Sequence, residues 1–246
     1  MIRTVLNAVK TAVLMPLFAI FTLTMAAAVI IVSLVRRDAP FADKIILFWC
    51  RVFLLLGPIT YEVSGLENID PSRKAVVVSN HDSNFDIPIA FLTLRLPIRY
   101  LAKKELFSIP LFAEAMRRVG MIETDRAVGV KAIGQVNTGV SDSVARGHQL
   151  MIYPEGTRTA GVATRPFKKG AFRIAVDNKL DIIPMAIVGS GEAWEPGSKV
   201  IYPGHVKARV LEMVSTEGLT VDDVTALKDQ VEAMIHGAID EMRDQT

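Results

Sequence analysis

Between Lys10 and Arg36 the chain runs for 25 residues without a charge, TAVLMPLFAIFTLTMAAAVIIVSLV. As a helix this run reaches about 37 Å, against roughly 30 Å for the hydrocarbon core of a bilayer, so it is long enough to span one. A cleaved signal peptide is the competing reading. The apolar character continues through Val29 to Val32, however, beyond the small residues Ala26 to Ala28, and leaves no clean cleavage site. The run is therefore read as a retained anchor. Arg3 and Lys10 precede it and Arg36 and Arg37 follow it, so charge bias selects no orientation.

A second apolar stretch, Ile45 to Leu56, is interrupted by Arg51 and carries Phe48, Trp49 and Phe53. As a helix it covers about 18 Å, too short to cross. It fits an interfacial helix with aromatic rings at headgroup depth, and equally a core helix packed under the anchor. Gly57-Pro58 ends it. Residues 1–57 thus read as a two-helix membrane module, and 58–246 as the domain that follows.

Composition narrows the class of that domain. In a chain of 246 residues, 50% hydrophobic against 22% charged rules out low-complexity disorder and leaves ample material for a core. Cys50 is the single cysteine, so no intrachain disulfide and no four-cysteine zinc cage can form. A reducing, cytoplasm-facing setting fits. The net charge of +2 hides an uneven split: residues 216–246 carry eight acids against two bases, which leaves the first 215 residues at +8.

From Tyr61 the periodicity changes. Short β-branched runs at Ala75 to Ser79, Ile98 to Leu101, Gln149 to Tyr153 and Ile182 to Ile187 alternate with longer patterned segments. That alternation predicts an α/β fold with a mixed, largely parallel central sheet flanked by helices. Val130, Ile133, Val136, Val140 and Val144 predict a helix over 129–146 with one buried face. Val206, Ala208 and Val210 alternate with Lys207 and Arg209, as in a half-buried edge strand. Val221 to Met242 reads as an acidic amphipathic helix behind a capping pair, Thr220 and Asp223.

The chemistry concentrates in short blocks. Ser79 to Asp86, SNHDSNFD, follows the strand AVVVS and precedes a helical run. On one continuous helix His81 and Asp86 would lie about 140° apart. A strand-to-helix turn instead lets the carboxylate reach the imidazole, with Asp86 capping the helix. A carboxylate on one ring nitrogen fixes the tautomer and raises the basicity of the other, as a base removing a hydroxyl proton requires. The same residues also fit a plain N-cap beside a hydrogen-bonded loop histidine.

The second block, Tyr153 to Arg158, YPEGTR, places a turn and Arg158 at the carboxyl end of a strand, where α/β proteins put ligands. From Gly156 to Val176 no acid occurs, whereas Arg158, Arg165, Lys168, Lys169 and Arg173 do. This is a basic patch facing an anion, or in part a solvated helix face. RYLAKKEL offers Lys103 and Lys104, GMIETDR ends in Asp125-Arg126, and Pro184 predicts a kink at a sheet end. There is no Gly-x-Ser-x-Gly elbow. The adjacent pair His81-Asp82 also resembles that of metal-dependent phosphohydrolases, but His148, His205 and His236 show no ligand spacing.

Taken in order, NHDSNFD, GMIETDR, EGTR and IPMAIV behind an apolar module resemble the glycerolipid acyltransferase family, most closely the bacterial 1-acyl-sn-glycerol-3-phosphate acyltransferases. The resemblance covers roughly 60–190. It implies transfer of a fatty acyl group from a coenzyme A or acyl-carrier-protein thioester to the sn-2 hydroxyl of a lysophospholipid, giving phosphatidic acid. No cofactor, metal or nucleic acid is implied. The expected location is the cytoplasmic membrane, with the catalytic domain facing the cytoplasm.

In the family pattern His81 is the base and Asp86 its partner. Glu155, Gly156, Thr157 and Arg158 help hold the phosphorylated acceptor, with Lys103 and Arg126 as further phosphate-site candidates. Asp82 and Asn84 stand where many members have Gln and a large aromatic or apolar residue, and Glu123-Thr124 stands where an apolar pair is commoner. These departures bear on the acceptor, for which another lyso-lipid such as a lyso-ornithine lipid is the alternative. A non-catalytic lipid-binding protein is the reading from a different class.

Overall fold

The computed structural model describes residues 2–35, 40–124, 133–159 and 165–244. Seven strands form one sheet: β1 (Ile59–Ser64), β2 (Ala75–Ser79), β3 (Ile98–Lys103), β4 (Ile122–Thr124), β5 (Gln149–Ile152), β6 (Asp181–Val188) and β7 (Gly204–Val210), in the order β1-β7-β6-β2-β5-β3-β4. All neighbouring pairs are parallel except β6 and β7, so β1 and β7 run against the other five. This is the mixed, largely parallel sheet that the alternating pattern predicts.

Period-two alternation sends successive side chains to opposite faces. Val76, Val78, Leu150, Ile152, Ile182 and Ala186 pack on α5 (Ile133–Ala145), α6 (Gly170–Asp177) and α8 (Val224–Asp244). Ala75, Val77, Met151, Ile183, Met185 and Ile187 pack on the other face against α2 (Pro40–Leu56) and α3 (Asp86–Leu94). α8 buries Val231, Ile235 and Ile239 at helical spacing, and Thr220 and Asp223 form the expected capping box ahead of it.

β7 is not at the edge. It lies between β1 and β6, and β1 is the terminal strand. Its alternation arises because Val206, Ala208 and Val210 face the α2/α3 side. Lys207 and Arg209 face the end of α8, where Lys207 Nζ donates to the Met242 carbonyl at 3.3 Å and Arg209 pairs with Glu241 at 2.6 Å. Pro184 likewise sits within a central strand. Ile182 bridges Val214 while Met185 pairs with Val210, so one strand has an extra residue between those pairs. The proline's missing N–H falls at this bulge, where its carbonyl still accepts from Leu211 N–H at 2.9 Å.

α1 (Ile2–Val35) is, by length and composition, apolar enough to cross a membrane. One side of it is packed along its length. Thr11 Oγ1 accepts from Ile201 N–H at 3.1 Å, Phe18 stacks on Phe53 at 4.5 Å, and Ala26 and Val29 meet Ala115 and Val119 around α4 (Pro110–Arg118). α2 has two opposed faces. Cys50, Phe53 and Leu54 join the sheet core beside Phe85 and Ile89, whereas Phe41, Phe48 and Leu55, spaced by seven, are exposed. A buried arginine fastens the start of α2: Arg99 on β3 pairs with Asp43 at 2.9 Å and also donates to the Ile98 and Val119 carbonyls.

Candidate active site

The site forms where parallel strands β2, β5 and β3 end, at the carboxyl edge of the sheet. Beyond Ser79 the chain leaves β2, and the Asn80 side chain continues the pairing in its place. Its Oδ1 accepts from Ile187 N–H at 2.8 Å and its Nδ2 donates to the Ile187 carbonyl at 2.7 Å. This anchors the turn on which His81 sits.

His81 Nδ1 lies 2.8 Å from Asp86 Oδ2. The same oxygen accepts the N–H groups of Asp82 and Ser83, each at 2.8 Å, and Asp86 is fully buried. Asp86 does not cap α3 as expected. It is the first residue of the helix, Phe85 holds the N-cap position without a side-chain cap, and the carboxylate turns back to gather three donors of its own loop. A carboxylate is acceptor-only, so Nδ1 carries the proton and the lone pair of Nε2 points away from Asp86. The imidazole stacks on the Tyr153 ring at 4.0 Å, which fixes its plane.

The second turn follows β5. Gly156 has φ +77°, a left-handed conformation that favours glycine, and its N–H donates to the Tyr153 carbonyl at 3.1 Å. That N–H is thus committed within the turn. Glu155 points behind His81: Oε1 accepts the His81 N–H at 3.0 Å, and the residue is 2% exposed. Burial, with the Asp82 and Asp86 carboxylates nearby, pushes Glu155 up to about 8, against the pull of the His81 N–H bond.

At neutral pH Glu155 is therefore a neutral acid, which has a consequence for stability. The unfolded chain releases this proton near 4.5 and the folded protein only near 8, so between those values the folded state holds more protons. Stability accordingly falls as pH rises through that window and levels off above it. Glu155→Gln keeps the acceptor oxygen and removes the titration, at the constant cost of an amide NH2 where Oε2 is buried without a hydrogen-bond partner among the described residues. The melting temperature of the variant minus that of the parent is therefore expected to rise from pH 4.5 to pH 8. A difference that stays flat or falls over that range would show that the ionised carboxylate is paired instead.

A cleft of about 310 Å³ opens at His81. Its polar lining includes His81, Asn84, Lys103, Thr157 and Arg158. The rest is mainly apolar and is shared between β3, with Leu101, and four helices: Met25 and Val29 of α1, Ile46 and Trp49 of α2, Phe91 of α3, and Phe112 and Met116 of α4. Among the described residues neither Lys103 nor Arg158 has a carboxylate within ion-pair distance.

Of the residues singled out in the sequence, His81, Lys103, Thr157 and Arg158 converge on the cleft, whereas Asp86 and Glu155 lie behind His81 and Gly156 shapes the turn. Arg126 lies outside the described residues. The sequence motifs did not point to Tyr153 as a stacking partner, to Thr159 or to the apolar lining. Among the described residues no group of three or more His, Cys, Asp or Glu is arranged to hold a metal ion. Asp82 itself faces Thr159, whose hydroxyl lies 2.5 Å from Oδ1.

This arrangement has relatives. A family model described as acyltransferase matches residues 60–188. The 1-acyl-sn-glycerol-3-phosphate acyltransferase alpha of Mus musculus is 35% identical over 188 residues, covering 74% of this chain and 65% of that protein. A putative 1-acyl-sn-glycerol-3-phosphate acyltransferase of Caenorhabditis elegans is 30% identical over 207 residues, covering 84% and 72%. The chain thus spans slightly less than two thirds of the mouse relative's length. The crystal structure of a 1-acyl-sn-glycerophosphate acyltransferase from Thermotoga maritima superposes with a TM-score of 0.77 at 24% identity, over 98% of this chain and 97% of that one, a likeness of fold. With the family model spanning both the histidine turn and the Glu-Gly-Thr-Arg turn, the chain belongs to the acyltransferase family, that of the 1-acyl-sn-glycerol-3-phosphate acyltransferases.

Proposed function

We propose that the protein transfers a fatty acyl group from a thioester of coenzyme A or acyl-carrier protein to the sn-2 hydroxyl of 1-acyl-glycerol-3-phosphate, giving phosphatidic acid. The observation that carries this reading is the cleft itself. A base whose Nε2 has no partner among the described residues, two cations likewise without ion-pair partners there, and an apolar wall meet in one cleft.

A secondary hydroxyl is a poor nucleophile at neutral pH. His81 Nε2 takes its proton as the oxygen attacks the thioester carbonyl, and Asp86 stabilises the imidazolium that forms. The tetrahedral adduct then collapses with loss of the thiolate, which takes up the proton. A thioester is already activated, so no enzyme nucleophile is needed. Arg158 and Lys103 hold the acceptor's phosphate at the mouth, the former as a two-pronged donor. The apolar wall accepts an acyl chain.

The proposal extends to the membrane pose, which the surface of α1 supports. Its free face exposes Val5, Val9, Val13, Leu17 and Ile20, while its other side is packed along its length. A helix so fastened lies with its apolar face in one leaflet, and the exposed Phe41, Phe48 and Leu55 of α2 extend that face. The domain sits on the cytoplasmic side of the cytoplasmic membrane, where thioester donors are found. Residues 1–57 serve as the membrane module and line the cleft as well.

Arg158→Ala is expected to raise KM for the phosphorylated acceptor about 10- to 100-fold, the range of a lost charged hydrogen bond, while KM for the thioester moves little. Arg158→Lys should recover only part, because a point charge replaces a fork. Equal increases for both substrates, measured by thiol release, would contradict the assignment.

A further inference from the structure

His81 is gripped by its main chain as well as its ring. Its N–H donates to Glu155 Oε1 at 3.0 Å, and its carbonyl accepts the Thr159 N–H at 2.9 Å. Beside that crossing, Thr159 Oγ1 donates to Asp82 Oδ1 at 2.5 Å, and Asn80 Nδ2 makes a longer contact with Asp82 Oδ2 at 3.4 Å. Asp82 and Thr159 are each 6% exposed. Asp82 directly follows His81, and Thr159 directly follows Arg158. Each member of the bonded pair is therefore the chain neighbour of a residue that lines the cleft.

We propose that Asp82 and Thr159 are positioning residues forming a clasp that locks the histidine turn to the arginine turn, and so sets the spacing between His81 Nε2 and the Arg158 guanidinium. The inference rests on the reading of Arg158 as the phosphate ligand. The bonds from the His81 N–H to Glu155 and from the Thr159 N–H to the His81 carbonyl both tie the arginine turn to one residue, His81. The side-chain bond adds an attachment at the next residue, Asp82, and so fixes how the two turns lie beyond His81. An acceptor held by its phosphate at one end and its hydroxyl at the other senses this spacing directly, and a displacement of about 1 Å can cost about 100-fold in rate.

A carboxylate suits the task, because a hydroxyl bond to an ionised oxygen is short and roughly twice as strong as a neutral one. Burial pushes Asp82 up to about 6, helped by the Asp86 and Glu192 carboxylates and opposed by the Thr159 bond and Arg243, so Asp82 is largely ionised at neutral pH.

The test uses the full chain in mixed phospholipid vesicles with 1-oleoyl-glycerol-3-phosphate and oleoyl-coenzyme A, read as thiol release. Thr159→Val keeps the main-chain bond and removes the hydroxyl, and kcat is expected to fall about 10- to 100-fold with melting temperature little changed. Thr159→Ser should restore the rate to within a few-fold. Asp82→Ala should match Thr159→Val, and the double variant should be no slower than either, as for two halves of one bond. In an Arg158→Ala background Thr159→Val should add no further loss, because the spacing then serves no contact.

A parental kcat for Thr159→Val, or no recovery in Thr159→Ser, would overturn the clasp. Equal slowing of the parent and of Arg158→Ala would show that the pair merely supports His81, and would overturn the spacing role. An unchanged acceptor KM in Arg158→Ala alone would instead overturn the phosphate reading, together with the spacing role that rests on it.

Discussion

His81→Ala is expected to lower kcat by about 10² to 10⁴, the range attributed to general-base catalysis, with the melting temperature nearly unchanged. The imidazole is bonded through Nδ1 and stacked on Tyr153, but its removal strips no apolar side chain from either core layer. Asp86→Asn is expected to be nearly as damaging, for two separable reasons. The amide lacks the charge that stabilises the imidazolium. Its nitrogen would also occupy the place of Asp86 Oδ1, which is buried without a hydrogen-bond partner among the described residues, once the amide oxygen has taken the three N–H donors. The asparagine variant should therefore lose stability as well as rate, whereas His81→Ala loses rate alone. Thermal melts paired with single-turnover kinetics separate the two, and near-parental turnover in His81→Ala would remove the base from the mechanism.

Deleting residues 1–57 is expected to abolish the cooperative fold of what remains, not merely its membrane binding. Phe18, Phe53 and Leu54 are buried against Phe85, Ile89 and the sheet residues beyond them. At about 1.5–3 kcal/mol for each large apolar side chain, their loss amounts to roughly 5–9 kcal/mol. The whole stability of a domain is about 5–15 kcal/mol. The Asp43 carboxylate facing buried Arg99 would go as well, leaving a cation 1% exposed without that partner. Gel filtration and near-UV circular dichroism of a 58–246 chain should show aggregation or loss of fixed packing. A monodisperse protein with a sharp melt would mean that α2 rests on the domain without sharing its core.

Ala75–Ser79 matches its strand residue for residue because a continuous β-branched run bounded by polar residues has few alternatives. The Thr220–Asp223 box is equally local. β7 shows where local reading stops: its alternation records which face each side chain takes, and says nothing of the strand that pairs beyond it. That neighbour, β1, lies well over a hundred residues earlier, and only the three-dimensional pairing makes it the edge. Both helices of the N-terminal module carry the same ambiguity. Apolar residues that meet lipid and apolar residues that meet a core have the same composition, so α2 admits two readings; one of its faces joins the core and the other is apolar and exposed.

The site divides along the same line. His81, Asp86, Lys103, Thr157 and Arg158 stand out because polar residues in a fixed order at strand ends have little structural reason to be there. Glu155 stands out in the same block, but its direction, behind His81 rather than into the cleft, depends on a turn whose geometry no spacing reveals. The apolar wall is drawn from α1, α2, α3 and α4, each contributing ordinary hydrophobic residues that only the fold brings together.

The most direct test of acyl transfer onto a phosphorylated lyso-lipid is the product itself. Purified full-length protein in vesicles would be given ¹³C-labelled oleoyl-coenzyme A and an equimolar mixture of 1-acyl-glycerol-3-phosphate, a neutral monoacylglycerol and a lyso-ornithine lipid, and the lipids resolved by mass spectrometry. Labelled phosphatidic acid, with the label at sn-2 and absent when His81→Ala replaces the parent, is the predicted result. Label appearing in free fatty acid, or distributed over the three acceptors without preference for the phosphorylated one, would contradict it.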